Sequence, residues 1–350
     1  MLVSVTGGTG FVGAHSVAAL VRRGHRVRLL ARDEQRAGRA LGALGVDPGA
    51  VDVVVGDVTD EGRAVRAIRG ADAVLHAASV YSFDSRRRSE MRRVNELGTE
   101  VVLAAARREG AGPIVHVSTF GVLEPGEGRE VRVESPAGRP RESYMATKAA
   151  AERIARRHQA EGAPVVITYP PALLGPHDPR LGDQTTRLRN ALRGLMPMWP
   201  LGGFPVGDVR DAAATHAELL GTPGGGPARH FTPGLYLSTR EYVATLRQVT
   251  GRRLPAVFLP ARAMLPVGLL TDLVQRAWPW HIPAEYGAVY TCVRDLRVAA
   301  APGPRPIAQT FGDTVRWLRE SGHLSARQAG LAGHPPPVPE ERLELRKERR

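Results

Sequence analysis

The feature that most constrains the fold is a glycine-rich turn near the start of the chain. The stretch VTGGTGFVGAH (5–15) follows an apolar run typical of a strand and precedes a segment with helical periodicity. Gly8, Gly10 and Gly13 have the spacing G-x-G-x-x-G, and Gly7 extends it. Such glycines permit a tight turn and close approach of a pyrophosphate, and the helix N-terminus offers amide donors to the phosphates. The turn therefore predicts a dinucleotide-binding site rather than a purely structural turn.

Short apolar runs alternate with helix-like segments over the first 170 residues. Near-continuous Val, Ile and Leu in these runs is typical of parallel strands that are buried on both faces. Six runs predict strands, at 2–8, 26–32, 51–57, 71–79, 112–119 and 163–171. Helices are predicted between them, including 14–24, 61–70, 89–109 and 144–162. We therefore expect an α/β fold, a Rossmann-type doubly wound parallel sheet with a smaller C-terminal substrate-binding region.

The regular alternation ends near residue 169, where Pro, Gly and aromatic residues become frequent. We expect a dinucleotide-binding domain over 1–168 and a substrate-binding region over 169–322. That region should return a strand or helix to the first domain near 206–240. Within it, a helix is predicted over 238–251, with Ser238 as its N-cap and Glu241 three residues on, and another over 307–322. The remainder, 323–350, reads as a mobile, charged and Pro-rich tail.

A tyrosine and a lysine share one turn of the helix predicted over 144–162. The chain has 48 basic residues but only two lysines, Lys148 and Lys347. Tyr144 lies four residues before Lys148, and chance would give about 0.04 such pairs in a chain of this composition. Residues at this spacing share a helix face, and a nearby ammonium lowers the pKa of a phenol. We predict Tyr144 as an acid–base residue and Lys148 as its partner; a solvated lysine beside a packing tyrosine is the structural alternative.

The end of the second predicted strand bears on which dinucleotide is bound. An acidic residue there accepts a hydrogen bond from the ribose 2′-hydroxyl of NAD, whereas arginine pairs with the 2′-phosphate of NADP. The chain has Arg32 followed by Asp33, with Arg28 and Arg36 as further positive charges. We therefore favour NADP(H), while Asp33 keeps NAD(H) possible. Asp57, after the third strand, is predicted to hydrogen-bond the adenine.

Two hydroxyl side chains follow the fifth predicted strand, in IVHVSTFG. Ser118 and Thr119 should therefore lie at the carboxyl edge of the sheet, where such folds bind their ligands. Either hydroxyl could orient a reacting oxygen as charge builds on it. Hydroxyls at strand ends are also common backbone caps, so the sequence alone leaves both roles open.

Charge and composition exclude several function classes. The net charge is +13, but arginine is scattered along the chain without a groove-reading motif, so we expect no nucleic-acid partner. A single cysteine excludes a disulfide framework and a Cys-based zinc site, and we expect no metal. The apolar stretch 254–278 is interrupted by Arg262, Asp272 and prolines, so we expect no integral membrane segment, although peripheral association stays open. The chain opens on a strand rather than a leader, which predicts a cytoplasmic protein.

Together these motifs resemble the extended short-chain dehydrogenase/reductase family, also called the NAD-dependent epimerase/dehydratase family. The resemblance covers residues 2–178 and rests on TGGTGFVG (6–13), GDVTD (56–60), HAAS (76–79), VNELGT (94–99), VSTFG (117–121), YMATK (144–148) and YPPALLGPHD (169–178). It implies that Tyr144 and Lys148 are catalytic with Thr119, which Ser118 precedes. It implies a homodimer formed through the helices that carry Asn95 and Tyr144. The cofactor contacts that it and the glycine turn imply are Gly7, Gly8, Thr9, Gly10, Phe11, Val12, Gly13, Arg32, Asp33, Asp57, Val58, His76, Ala77, Ala78, Asn95, Tyr144, Lys148, Pro170 and Pro171.

Departures from the family pattern narrow the chemistry. Nucleotide-sugar dehydratases of the family carry an Asp-Glu pair directly after the catalytic Thr, and this chain has Phe120-Gly121. Many members read Arg-Pro where this chain has Tyr169-Pro170. The arginine after the second strand resembles the dihydroflavonol-reductase-like branch and its hydroxysteroid relatives, which act on bulky apolar alcohols and ketones.

Three functions follow from these observations. The first is NADP(H)-dependent interconversion of a carbonyl and an alcohol on a bulky, largely apolar small molecule, and the apolar residues of 195–206 and 254–282 favour it. The second is a nucleotide-sugar epimerase with tightly bound NAD, which the polar and basic residues Arg187, Arg189, Asn190 and Arg193 keep open. The third is a non-catalytic NADP(H)-sensing protein, which the presence of both Tyr144 and Lys148 disfavours.

Overall fold

A computed structural model describes residues 1–81, 85–222, 228–266, 286–298 and 303–333. Its strands are β1 (Leu2–Thr6), β2 (Arg26–Ala31), β3 (Val51–Val55), β4 (Ala73–His76), β5 (Ile114–Val117), β6 (Glu130–Val131), β7 (Val165–Tyr169), β8 (Ala172–Leu174), β9 (Met198–Leu201), β10 (Gly203–Asp208), β11 (Arg229–Phe231), β12 (Leu235–Ser238), β13 (Val257–Pro260) and β14 (Arg297–Val298). Its helices are α1 (Phe11–Arg22), α2 (Glu34–Gly42), α3 (Glu61–Ile68), α4 (Arg88–Arg92), α5 (Gly98–Arg108), α6 (Ser143–Ala160), α7 (Asp183–Leu192), α8 (Val209–Gly221), α9 (Thr239–Thr250), α10 (Tyr286–Arg294), α11 (Ile307–Glu320) and α12 (Ala326–Ala329). Residues 267–282 of the apolar segment 254–282, and the predicted tail beyond residue 333, lie outside the described residues. The expectation of a mobile tail from residue 323 is corrected for its first part, which packs Leu324 and Ala329 into the interior and contains α12.

The centre of the described chain is a sheet of seven parallel strands in the order β3-β2-β1-β4-β5-β7-β11. All six predicted strands are present, and the predicted doubly wound fold is confirmed. The strand order reverses between β1 and β4, because β2 and β3 lie on one side of β1 and the later strands on the other. Ligands of such sheets bind outside the carboxyl ends of the strands at this reversal.

Successive residues of the central strands enter two different hydrophobic layers. Val74 packs into the layer with α3, α5 and α6, whereas Leu75 packs into the layer with α1, α2 and α8. Ile114 and Val115 of β5 divide in the same way. Because side chains alternate across a strand, the adjacent apolar residues of β4 and β5 fill both layers at once.

The later part of the chain both returns to this sheet and forms smaller ones. β11 pairs with β7, and α8 packs against α1 on one face of the large sheet. β8, β10 and β12 form a three-stranded sheet, and β9 pairs with β13. The boundary between the two predicted domains, near residue 168, stays a prediction. Over the described residues, none of the helices combines the length and hydropathy that a membrane span requires.

The helix predicted over 238–251 is confirmed as α9, together with its predicted N-cap. The Glu241 amide donates to the Ser238 hydroxyl at 3.2 Å, and the Ser238 amide donates to the Glu241 carboxylate at 2.8 Å. This reciprocal pair satisfies two backbone donors that the first turn of a helix leaves without partners.

Replacing Ser238 with Ala should lower the free energy of unfolding by about 1 kcal/mol, because the Glu241 amide loses its acceptor. Ser238→Thr keeps the hydroxyl and should stay close to wild type. Urea denaturation followed by circular dichroism measures both variants. Equal stability of the Ala and Thr variants would show that this cap contributes nothing.

Candidate active site

A cavity of about 350 Å³ opens at the carboxyl ends of the central strands, and we call it the main cavity. Its walls combine the glycine turn, the ends of β2 to β5, helix α6, and the loop that follows β7. Of the predicted residues, the main cavity is lined by Gly7, Thr9, Gly10, Phe11, Val12, Gly13, Arg32, Asp57, Val58, Ala77, Ala78, Ser118, Thr119, Tyr144, Lys148, Pro170 and Pro171. The structure therefore brings the glycine turn and the Tyr–Lys pair to one site.

The glycine turn has no room for side chains. Gly7 has a φ of +80°, and a Cβ built there would lie 2.5 Å from the backbone of Ala77 and Ala78. A Cβ at Gly13 would lie 2.2 Å from the carbonyl oxygen of Gly7. Gly10 caps α1 without a side-chain hydrogen bond, so the first amides of this helix face the main cavity. This is the close-packed cradle that a pyrophosphate requires, and a dinucleotide fits it.

Tyr144 and Lys148 lie one turn apart on α6, and both are buried. The Glu142 carboxylate caps the helix and accepts from the amides of Tyr144 and Met145 at 2.8 Å each. The Lys148 Nζ donates to the carbonyl of Val117 at the end of β5, at 2.7 Å. Helix α6 is thus fixed at its start, and the pair points to the carboxyl edge of the sheet.

The charge states of this pair differ from the sequence expectation. Burial, aided by the negative charges of Glu142 and Asp183, raises the pKa of Tyr144, so the phenol is neutral at pH 7. Burial lowers the pKa of Lys148 to about 8, although Glu152 opposes the shift. The sequence analysis expected Lys148 to lower the pKa of Tyr144, but that pKa is raised, because burial and the two carboxylates both disfavour the phenolate.

The two predicted hydroxyls have different surroundings. Ser118 is buried, and within the described residues its Oγ has no hydrogen-bond partner. The Thr119 Oγ1 accepts from the Gly121 amide at 3.4 Å, and Thr119 begins a short 3-10 turn over Phe120–Val122. A buried hydroxyl without a partner is costly unless a ligand or water completes it, so Ser118 has free capacity toward a bound molecule.

The two residues that follow β2, Arg32 and Asp33, have different surroundings. Arg32 lines the main cavity, whereas Asp33 lies outside its lining and caps α2 by accepting from the Arg36 amide at 3.0 Å. Arg28 donates to the carbonyl of Ala67 in the last turn of α3 and to that of Arg69 just after it, so the expectation that it adds charge to the cofactor site is corrected.

Gly8 and His76 also lie outside the lining of the main cavity. Gly8 packs against Leu29 in the layer beneath. The buried His76 ring bonds Thr6 at 2.8 Å and Thr99 at 3.0 Å, and burial lowers its pKa to about 3. The expectation of a cofactor contact by the His76 ring is therefore corrected: the ring holds β4 in place, and Ala77 and Ala78 face the cavity.

Asn95 is a further correction, since it too is absent from the cavity wall. It lies in a π-helical turn, Arg93–Leu97, between α4 and α5. Its Nδ2 donates to the Val80 carbonyl at 3.1 Å and to the Thr147 hydroxyl at 3.0 Å, and its Oδ1 accepts from the Val80 amide at 2.7 Å. Asn95 thus ties the wall after β4 to α6, directly beside Lys148.

Tyr169, which stands where many family members carry an arginine, belongs to a hydrogen-bonded triad. The Tyr169 hydroxyl donates to Glu152 at 2.7 Å, and Arg156 donates to both Glu152 at 2.7 Å and Tyr169 at 3.1 Å. Glu152 and Arg156 lie one turn apart on α6, so the triad joins this helix to the end of β7.

The end of the main cavity next to Tyr144 is lined by residues that the sequence analysis did not assign to the site. They are Val80, Tyr81, Phe120, Met145, Asp183, Gln184 and Thr291. The Tyr81 ring packs edge-on against Tyr144 at 4.7 Å, and Gln184 donates to the Tyr81 hydroxyl at 3.4 Å. Their places beside or inside quoted motifs were usable signals for four of them: Val80 and Tyr81 follow HAAS, Phe120 lies in VSTFG and Met145 in YMATK. Asp183, Gln184 and Thr291 come from later in the chain and carried no such signal.

The polar residues that kept a nucleotide-sugar site open do not line the main cavity. Arg187 lies over the Phe204 ring at 5.2 Å, and Asn190 is buried. Arg189 and Arg193 line a separate depression with His323 and Gln328. The expectation that these four residues could hold a sugar diphosphate in the site is therefore corrected.

The chain also matches a known protein family. The model described as "NAD dependent epimerase/dehydratase family" matches residues 3–231. The chain belongs to this family. It is an NAD(P)-dependent enzyme of the extended short-chain dehydrogenase/reductase type.

Three similar proteins illustrate the range within the family. Sterol demethylase protein B of Methylococcus capsulatus is 30% identical, over 93% of this chain and 100% of that protein. The 4-hydroxy-2-methyl-3-oxo-4-farnesyl-3,4-dihydroquinoline-1-oxide ketoreductase of Stigmatella aurantiaca is 31% identical, over 95% of this chain and 98% of its own. The dTDP-glucose 4,6-dehydratase of Streptomyces venezuelae, solved with NAD bound, is 25% identical, with a TM-score of 0.70 over 91% of this chain and 97% of its own.

The glycine turn gives a direct test of the cofactor site. Gly13→Ala should weaken binding of NADPH and of NADH at least about tenfold, because the new Cβ meets the Gly7 carbonyl rather than a movable side chain. Energy transfer from the four tryptophans to bound nicotinamide measures it. Gly38→Ala on α2, where nothing lies within 4 Å of the new Cβ, is the control and should bind as wild type. Unchanged binding by the Gly13 variant would place the dinucleotide elsewhere.

Proposed function

We propose that this protein is an NADP(H)-dependent ketoreductase that interconverts a carbonyl and an alcohol on a bulky, largely apolar small molecule. The observation that carries the proposal is the main cavity itself, in which an acid–base pair lies between a dinucleotide cradle and an apolar wall.

The cofactor preference is supported by the two side chains after β2. Arg32 lines the main cavity where the adenosine 2′ group of a bound dinucleotide would lie. Asp33, which would be the acceptor for an unmodified ribose, already accepts from the Arg36 amide as the cap of α2. An arginine at the cavity and an occupied carboxylate favour a 2′-phosphate over a 2′-hydroxyl.

The substrate class is supported by the wall beside Tyr144. Tyr81, Phe120, Met145 and Pro171 present apolar surface there. Phe120-Gly121 stands in the position of the Asp-Glu pair with which related dehydratases eliminate water, and the Met145 side chain fills the space beside Gly121. The names of two relatives point the same way, since one acts in sterol demethylation and the other reduces a ketone on a farnesyl-bearing ring.

The chemistry assigned to the residues follows from their charge states. Bound NADPH would supply the hydride that reduces the carbonyl carbon. Tyr144, as a neutral phenol, donates its proton to the carbonyl oxygen, and the Lys148 ammonium stabilises the phenolate that results. Ser118, whose Oγ has no partner among the described residues, or Thr119 donates a hydrogen bond to the same oxygen as charge develops. Because burial holds Tyr144 in its acid form, the phenol carries the proton that reduction requires near neutral pH.

Arg32→Ala should weaken NADPH binding about ten- to hundredfold and leave NADH binding nearly unchanged, because the guanidinium contacts only the 2′-phosphate. Titration with each cofactor, followed by energy transfer from tryptophan, measures the change. Arg39→Ala removes the same charge from the exposed face of α2 and is the matched control.

Two outcomes would overturn this proposal. One is a preference of the wild-type protein for NADH. The other is purification with bound NAD that does not exchange, which would favour an epimerase. An NADPH-binding protein that reduces none of a panel of steroid, flavanone and long-chain ketones, and whose Tyr144→Phe variant behaves identically, would favour the non-catalytic alternative.

The reduction rate should depend on the charge of Lys148. The value of kcat/KM should be level below pH 8 and fall about tenfold per pH unit above it, because Lys148 loses its proton near that pH. Lys148→Arg keeps its charge at all these pH values and should lose this alkaline decline, at a lower overall rate. Initial rates of NADPH oxidation across pH measure both proteins. A wild-type profile that stays level well above pH 8 would contradict the role of Lys148.

A further inference from the structure

A second arginine faces the adenosine end of the main cavity from a distant part of the chain. Arg180 lies on the loop between β8 and α7, in the predicted substrate-binding region, yet it lines the same cavity as Arg32. Its guanidinium makes no hydrogen bond or ion pair with any residue that the structure describes. The loop therefore brings a free cation to the site where the Rossmann part of the chain places another.

Arginines are concentrated around this point. Partial enclosure by surrounding protein, together with the positive charges of Arg36, Arg32 and Arg87, lowers the pKa of Arg180. The opposing carboxylate in this group is Glu90, and it already pairs with Arg87 at 3.0 Å. Like charges held together without counter-charges repel, so such a cluster is stabilised when an anion binds it.

The backbone of the loop is built to hold Arg180 at this place. The buried Asp178 carboxylate accepts from the Arg180 amide at 3.2 Å, the Gly182 amide at 2.9 Å and the Thr185 hydroxyl at 2.7 Å. These bonds also fix the loop to the first turn of α7. Asp178 is therefore a structural residue that positions its neighbour.

The same loop leads directly to the substrate end of the cavity. Gln184, four residues after Arg180, donates to the hydroxyl of Tyr81, whose ring packs against Tyr144. A ligand that holds Arg180 would therefore also hold the start of α7 and the residues beside the acid–base tyrosine.

We propose that Arg180 is a second ligand of the 2′-phosphate of NADP(H), so that this phosphate is bound by both Arg32 and Arg180. A phosphate monoester carries nearly two negative charges and three acceptor oxygens, which suits two guanidinium groups from different elements. The inference rests on the proposed NADP(H) function and adds to it. NADP(H), unlike NAD(H), would order the loop and α7 before the substrate binds.

The test compares ligands with and without the 2′-phosphate. Dissociation constants are measured for NADPH, NADH and 2′,5′-ADP with wild type, Arg180→Ala, Arg180→Lys and Arg32→Ala. Arg180→Ala should weaken NADPH and 2′,5′-ADP about ten- to hundredfold and leave NADH unchanged, and Arg180→Lys should recover part of the loss. Arg193→Ala, which removes an arginine outside the main cavity just after α7, is the matched control and should bind all three as wild type.

A second readout follows the loop itself. Hydrogen exchange of residues 178–186 should slow when NADPH binds wild type and should slow less when NADPH saturates the Arg180→Ala variant. NADH should protect this segment equally in both proteins. A merely structural role for Arg180 would change the exchange of the free protein instead.

The outcomes separate the two proposals. If wild type does not prefer NADPH and Arg32→Ala changes nothing, the NADP(H) function itself fails. If Arg32→Ala loses NADPH while Arg180→Ala binds it as wild type, only the role of Arg180 is overturned. Equal weakening of NADPH and NADH by Arg180→Ala also overturns it, because the residue would then act through the fold and not through the 2′-phosphate.

Discussion

The site depends on the close approach of the turn after β1 to the end of β4. Gly7 lies against the backbone of Ala77 and Ala78, and Gly13 lies against Gly7, at distances that no Cβ could occupy. This contact brings the N-terminus of α1 to the carboxyl edge of the sheet, where its free amides face the cavity. The residues that follow the parallel strands line the cofactor end of the cavity, because parallel strands all end at this same edge of the sheet.

Burial then decides the chemistry of the opposite end. Tyr144 and Lys148 lie in an environment that disfavours charge on either, so one becomes a weaker acid and the other a weaker base. The helix that carries them is held from three sides, by the Glu142 cap, by Asn95 through Thr147, and by the Glu152–Arg156–Tyr169 triad. A neutral phenol beside an ammonium can donate a proton, which connects the packing of α6 to the acid–base role proposed for Tyr144.

The part of the chain after residue 170 contributes further residues to this site. The loop after β8 contributes Arg180 at one end of the cavity and, through α7, Gln184 near the other. The rigid contacts of Asp178 join these two positions. In the proposed function, this short segment therefore contributes to both cofactor choice and the substrate wall, and a change in its length or in Asp178 would affect both.

Local patterns in the sequence determined the parallel sheet, its six main strands, the glycine turn, the Tyr–Lys pair and the capped helix α9, because each rests on spacing and residue type over a few neighbours. Tertiary structure alone decided which of those residues reach the cavity. His76 and Asn95 follow family motifs but turn into the interior, where hydrogen bonds to Thr99 and Thr147 satisfy them. The Asp33 carboxylate caps α2 by accepting from the Arg36 amide, and the Arg28 guanidinium donates to the carbonyl of Arg69 beyond α3. Arg180 is one of 46 arginines and nothing nearby in the sequence marks it, yet it lines the same cavity as Arg32, which precedes it by nearly 150 residues. The pKa values of Tyr144 and Lys148 were likewise beyond the sequence, because they depend on how much protein surrounds each group, and that is a property of the packed fold.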